Sequence, residues 1–172
     1  MKPIEEIRDA LQKFAAALNR EPAENELGRT PDGKAKTLPI SFVEMTLDEY
    51  FFGLWETKGF QWTVIANEVV GSIELTITHP ISGEKLTRSG AAAIQIMVNA
   101  GTNALDVNNK KSNALDMGFP KLKAECVKNA AQSLGKLFGR DLNRKQADVF
   151  KPILKPEKKE LSPISSSRTV LL

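Results

Sequence analysis

Apolar residues at Ile4, Ile7, Leu11, Phe14 and Leu18 recur at three- and four-residue spacing, which predicts an amphipathic helix over residues 4–19 with a charged outer face. From 20 to 39 that pattern stops. Pro22, Gly28, Pro31, Gly33 and Pro39 punctuate a polar stretch that reads as a long surface loop. Thr46-Leu47-Asp48-Glu49 has the form of a capping box and precedes Tyr50, Phe51, Phe52, Leu54 and Trp55, so a short aromatic helix is expected to start at Thr46. After Gly59 the period becomes two. Residues 61–65 and 69–78 are rich in β-branched side chains, and Ile73, Leu75 and Ile77 alternate with Ser72, Glu74, Thr76 and Thr78, as in strands with one buried face. Residues 79–84 form a turn signal, and 85–97 read as the returning strand of a hairpin. Its small residues Gly90, Ala91, Ala92 and Ala93 would let a helix lie close.

After a loop over 99–113, Phe119, Leu122, Cys126, Ala130, Leu134, Leu137 and Phe138 mark one face of a helix over 119–139. Pro120 suits its first turn and Gly139 the left-handed position just past its end. Lys121, Lys123, Lys128 and Lys136 lie outside the apolar set, and Arg140, Arg144 and Lys145 continue the positive charge. The pattern predicts an α+β fold: an antiparallel hairpin sheet of about three strands packed on one long basic helix, with additional N-terminal helices. Residues 1–39 form an N-terminal helix and loop, 40–150 the core. The Lys-, Pro- and Ser-rich segment 151–172 is too polar to fold alone and reads as a disordered tail.

Charge sharpens this picture. The net charge of +3 conceals 10 basic against 15 acidic side chains over 1–109, and 9 basic against 3 acidic over 110–145. A positive charge so confined suggests a polyanionic partner for one region. No apolar run approaches the roughly 20 residues that span a bilayer, and the charged start Met1-Lys2-Pro3-Ile4-Glu5-Glu6 lacks the apolar core of a signal peptide, so a cytoplasmic location is expected. The single cysteine, Cys126, cannot form an internal disulfide and lies on the apolar helix face.

Signals for catalysis are weak. Gly28 to Ala35 has the glycine and lysine spacing of a phosphate loop, but Ala35 replaces the hydroxyl residue that would hold magnesium. Ser133 and Lys136 have the spacing of acylating hydrolases without the accompanying motifs. His79, the only histidine, cannot build a multi-histidine zinc site. Asp48, Glu49, Glu68 and Glu74 define no recognised cluster for a magnesium-dependent nuclease. Neither an enzyme activity nor a cofactor is expected.

Lys121, Lys123, Glu125, Val127 and Asn129, in the pattern K-x-K-x-E-x-V-x-N, followed by Lys136, Phe138 and Gly139 as K-x-F-G, resemble the Rad-fifty-two superfamily of single-strand annealing proteins, with phage and bacterial members. Thr87 to Ala91 adds weaker support, and the resemblance covers about residues 60–145. It implies single-stranded DNA binding and ATP-independent annealing in phage-type recombination and repair, by a homo-oligomeric ring or helical filament in the bacterial cytoplasm. A phage exonuclease or a host replication protein is a candidate further partner. Lys121, Lys123 and Lys136 match basic positions of the family's DNA-contacting helix. Gln132 and Ser133 depart from it where many relatives carry a basic pair. Lys128, Lys85 and Arg88 are candidates to compensate, and Arg140 and Arg144 extend the candidate DNA-binding set. Two other classes remain open: an assembly protein using the basic helix as a subunit interface, and a metal-dependent nuclease.

Overall fold

In chain order the elements are α1 (Ile4–Leu18), a ribbon of β1 (Gly28–Arg29) and β2 (Lys36–Thr37), α2 (Ile40–Phe51), three strands β3 (Trp55–Ile65), β4 (Glu68–Thr78) and β5 (Lys85–Gln95), and α3 (Ala114–Gln132). These come from a computed structural model that describes residues 4–30 and 32–144. The strands form one antiparallel sheet in the order β3-β4-β5, with α3 lying across β4 and β5. The fold is therefore α+β, a three-strand antiparallel sheet against a long C-terminal helix. Among the described residues no helix is long and apolar enough to cross a membrane.

The alternation along β4 sets the register, because Val69, Ile73, Leu75 and Ile77 face α3 and are each at most 2% exposed. Under them pack Leu122, Cys126 and Val127 on one side, and Ala130, Ala131, Leu137 and Phe138 on the other. Gly90 is where helix and sheet come closest. A Cβ there would overlap the carbonyl oxygen of Cys126 and the amide of Ala130, so the small-residue stretch of β5 allows the contact that its composition suggests. The N-terminal segment joins the same core: Leu18 and Leu38 are buried with Val43, Leu47 and Phe51 of α2.

Four boundaries differ from the sequence expectation. α2 starts at Ile40, with Pro39 before it, and Thr46 lies mid-helix, donating its hydroxyl to the Phe42 carbonyl at 2.7 Å. The capping-box reading of Thr46 and Glu49 is thus overturned, because Val43, Leu47 and Phe51 recur every four residues and bury one face. β3 begins at Trp55 rather than 61; Gly59 lies within it, at a register irregularity, with φ of 62°. The stretch 20–39 contains the β1–β2 ribbon as well as loop. α3 spans Ala114–Gln132 instead of 119–139, so Pro120 is interior and Lys136 lies in a separate single turn of 3-10 helix, Lys136–Phe138. Burial of Ala114 and packing of Leu115 and Phe119 against the sheet hold the extra N-terminal turns despite Pro120. At the other end Gly135 presses on the Leu18 carbonyl and the chain breaks helix there. Gly139 does take the expected left-handed conformation, with φ of 88°. The segment 151–172 lies outside the described residues.

Candidate nucleic-acid interface

The eight basic residues singled out in the sequence fall into three places. Lys121 and Lys123 are exposed on the N-terminal half of α3, and neither side chain forms a hydrogen bond or ion pair among the described residues. Two positions along a helix turn by about 200°, so they stand on opposite flanks of α3 and bracket it. Lys110 and Lys111, exposed just ahead of the helix, add charge at the same end. Those two belong to the basic segment and were absent from the candidate set because a loop gave them no predicted face.

The second group is held internally. Lys128 shares a stripe with Lys121, yet its Nζ donates to Thr37 Oγ1 at 3.1 Å and to Glu125 Oε1 at 2.7 Å, leaving the side chain 12% exposed. Lys136 Nζ lies 3.8 Å from Asp141 Oδ2, and Arg144 Nη1 lies 3.4 Å from Asp141 Oδ1. Arg140 donates from Nε to the Gln132 carbonyl at 3.3 Å and from Nη2 to the Ser133 carbonyl. That places a cation on the orphan carbonyls at the C-terminal end of α3, where the helix dipole favours it. Asn143 fastens this region to the ribbon. Its Nδ2 donates to the Lys36 carbonyl at 2.8 Å, and its Oδ1 accepts from the Lys36 amide at 2.9 Å.

Lys85 and Arg88 form the third group. Both lie on β5, an edge strand, but they point to opposite faces: Lys85 is exposed on the open face, whereas Arg88 is half-buried on the helix side. Lys121 and Gln132 are separated by about 16 Å of helix rise, and Leu86, between Lys85 and Arg88, packs on the core cluster that holds Ala130, Ala131 and Leu137 at the far end of α3. Arg88 therefore lies on the helix side toward the Gln132 and Ser133 end of α3, away from Lys121, and Lys85 lies on the other face of the sheet.

Most residues that carry the family-like pattern have structural work. Val127 and Phe138 are buried, Asn129 Nδ2 donates to the Ala91 carbonyl of β5 at 2.7 Å, Glu125 holds Lys128, Lys136 faces Asp141, and Gly139 supplies the left-handed turn. Only Lys121 and Lys123 of that pattern are free to meet a partner among the described residues.

The other concavities have different chemistry. A shallow depression of about 610 Å³ on the open face of the sheet is lined by neutral groups including Gln61, Thr63, Ser72 and Ala91. A smaller one of about 220 Å³ holds Lys36, Lys136 and Arg144 with Glu21, Glu24 and Asp141, three charges of each sign. Among the described residues no three His, Cys, Asp or Glu side chains converge to hold a metal ion. Cys126 is fully buried with its thiol donating to the Gly71 carbonyl at 3.3 Å, and burial pushes its pKa up, which suits a core residue. His79 accepts at Nδ1 from the Ile81 and Ser82 amides and so organises its turn. No protein-family model and no curated protein matches this chain.

Proposed function

We propose that this chain binds single-stranded DNA through the exposed lysines around the first half of α3 and, as a homo-oligomer, promotes annealing of complementary strands without ATP in the cytoplasm of a bacterial host. The observation that carries this reading is the pair Lys121 and Lys123, exposed and without ion pairs among the described residues. With Lys110 and Lys111 nearby, only Asp116 opposes four lysines between residues 110 and 123. Lysine contacts to phosphates relieve the repulsion between two strands and leave base edges open for pairing. A phage exonuclease or a host replication protein is the class of further partner that such an activity would serve.

The assembly-protein reading, with the basic helix as a subunit interface, draws on a different observation, the internal bonding of Lys128, Lys136 and Arg140, which withdraws these cations from a nucleic-acid partner. The two are separated by mixing dye-labelled complementary oligonucleotides with wild-type protein and with Lys121→Ala/Lys123→Ala, while following oligomer size by light scattering. Annealing accelerated by wild type and slowed in the variant at unchanged oligomer size supports the DNA reading. Annealing at the spontaneous rate with both proteins contradicts it. Shortened strands after incubation with magnesium would favour the nuclease.

A further inference from the structure

Trp62 sits on β3 opposite Gly71, on the side of the sheet that faces α3. β3 is an edge strand and α3 lies over β4 and β5, so this large side chain escapes cover and remains 54% exposed. Its ring contact among the described residues is with Phe119, at 4.7 Å between centroids and 72° between planes. An edge-to-face pair of this kind fixes an indole in place and leaves much of its surface open. Lys123 follows Phe119 by four residues, about 6 Å along the same flank of α3, and is exposed without an ion pair among the described residues. Asp116, three residues before Phe119, is the carboxylate on that flank, so an anion would be drawn toward the Lys123 side.

We propose that Trp62, braced by Phe119 and flanked by Lys123, is a base-stacking residue for single-stranded nucleic acid; this rests on the strand-binding reading above. The charge pattern chooses the occupant. An apolar protein surface would satisfy the indole and leave Lys123 without a counter-charge at the contact, whereas a single strand offers a planar base and a phosphate about one nucleotide apart. Stacking is tolerant of sequence because every base has a π-face, in keeping with a protein that leaves recognition to base pairing.

The test compares an oligo-dT strand with an abasic strand of equal length, using wild type, Trp62→Ala and Trp62→Phe. Loss of stacking costs about 1–3 kcal/mol per base, so Trp62→Ala should bind oligo-dT about 5- to 150-fold more weakly and abasic DNA nearly as well as wild type, with Trp62→Phe in between. Oligo-dT should also quench wild-type tryptophan emission, and quenching should fall away in Trp62→Phe, where Trp55 is the remaining tryptophan. Equal losses on both strands, unchanged affinity, or an altered oligomer size with no preference for bases would overturn the stacking role while leaving DNA binding standing. Failure of wild type to bind either strand overturns the strand-binding reading and this inference with it.

Discussion

Gly90 shows at the residue scale how the sheet and helix constrain each other. Backbone of α3 occupies the space a methyl group would need, so Gly90→Ala must push helix from sheet, and a loss of about 1–3 kcal/mol is expected from urea unfolding, in the range of overpacked core sites. Gly118→Ala is the control: nothing lies within 4 Å of its added Cβ, and a helix interior favours alanine, so stability should rise by about 0.5–1 kcal/mol. The lysines divide in the same way. Lys128→Ala removes a half-buried, charge-assisted pair of bonds and should cost about 1–2 kcal/mol in the same experiment, whereas Lys121→Ala should stay within about 0.5 kcal/mol of wild type. The Glu125 partner of Lys128 is one helical turn away and local, but its second partner, Thr37, lies 91 residues away in sequence and could not be read from its surroundings. Burial of Leu122, Cys126 and Ala130, by contrast, follows from spacing alone. Glu26 supplies a pH signature. The Arg20 guanidinium and the Ala23 amide hold its carboxyl below the ordinary value of 4.5. Its contribution is present above that value and lost as pH falls through the lowered one. Being near the surface it is worth less than about 1 kcal/mol, so Glu26→Gln should narrow the gap to wild type progressively between pH 6 and pH 3 in thermal melts.

At the element scale, Pro120 is the local conflict in α3. It lacks the N–H that would bond the Asp116 carbonyl, an interior cost of about 3 kcal/mol relative to alanine. Pro120→Ala should therefore raise stability by about 1–3 kcal/mol in denaturant titration; a fall would mean that the proline sets how Phe119 meets Trp62. The same residue explains why the helix start was misplaced in sequence. Gly118-Phe119-Pro120 reads as a beginning, and the packing of Ala114 and Leu115 that overrides it is tertiary. α2 repeats the lesson at Thr46: the capping-box spelling is present, but the four-residue recurrence of Val43, Leu47 and Phe51 decides the register. The central strand β4 was legible because one-face burial writes itself into alternation, whereas β3, none of whose residues is buried, was read only over 61–65. Which strand lies at the edge is a matter of topology, so the exposure of Trp62 left no trace in the local pattern.

Across the whole molecule, the described part of the positive segment, residues 110–144, is split into a free end and a bonded end. Charge counting predicts one basic region. The fold assigns Lys128, Lys136 and Arg140 to holding α3, the ribbon and the chain beyond them together, and leaves Lys110, Lys111, Lys121 and Lys123 facing outward. Most of the family-like pattern therefore reports the packing of α3 on its sheet, and the electrostatic case for DNA rests on the free end. Fluorescence anisotropy of a labelled single strand across a salt series tests this most directly, with wild type and Lys121→Ala/Lys123→Ala compared at equal folded fraction. Single-strand contacts contribute a log–log slope of about 0.7 per neutralised phosphate, so the double variant should bind more weakly and lose about 1.4 from the slope. Wild-type binding with the same affinity and slope as the variant, or no wild-type binding even at low salt, would contradict strand binding by this end of α3.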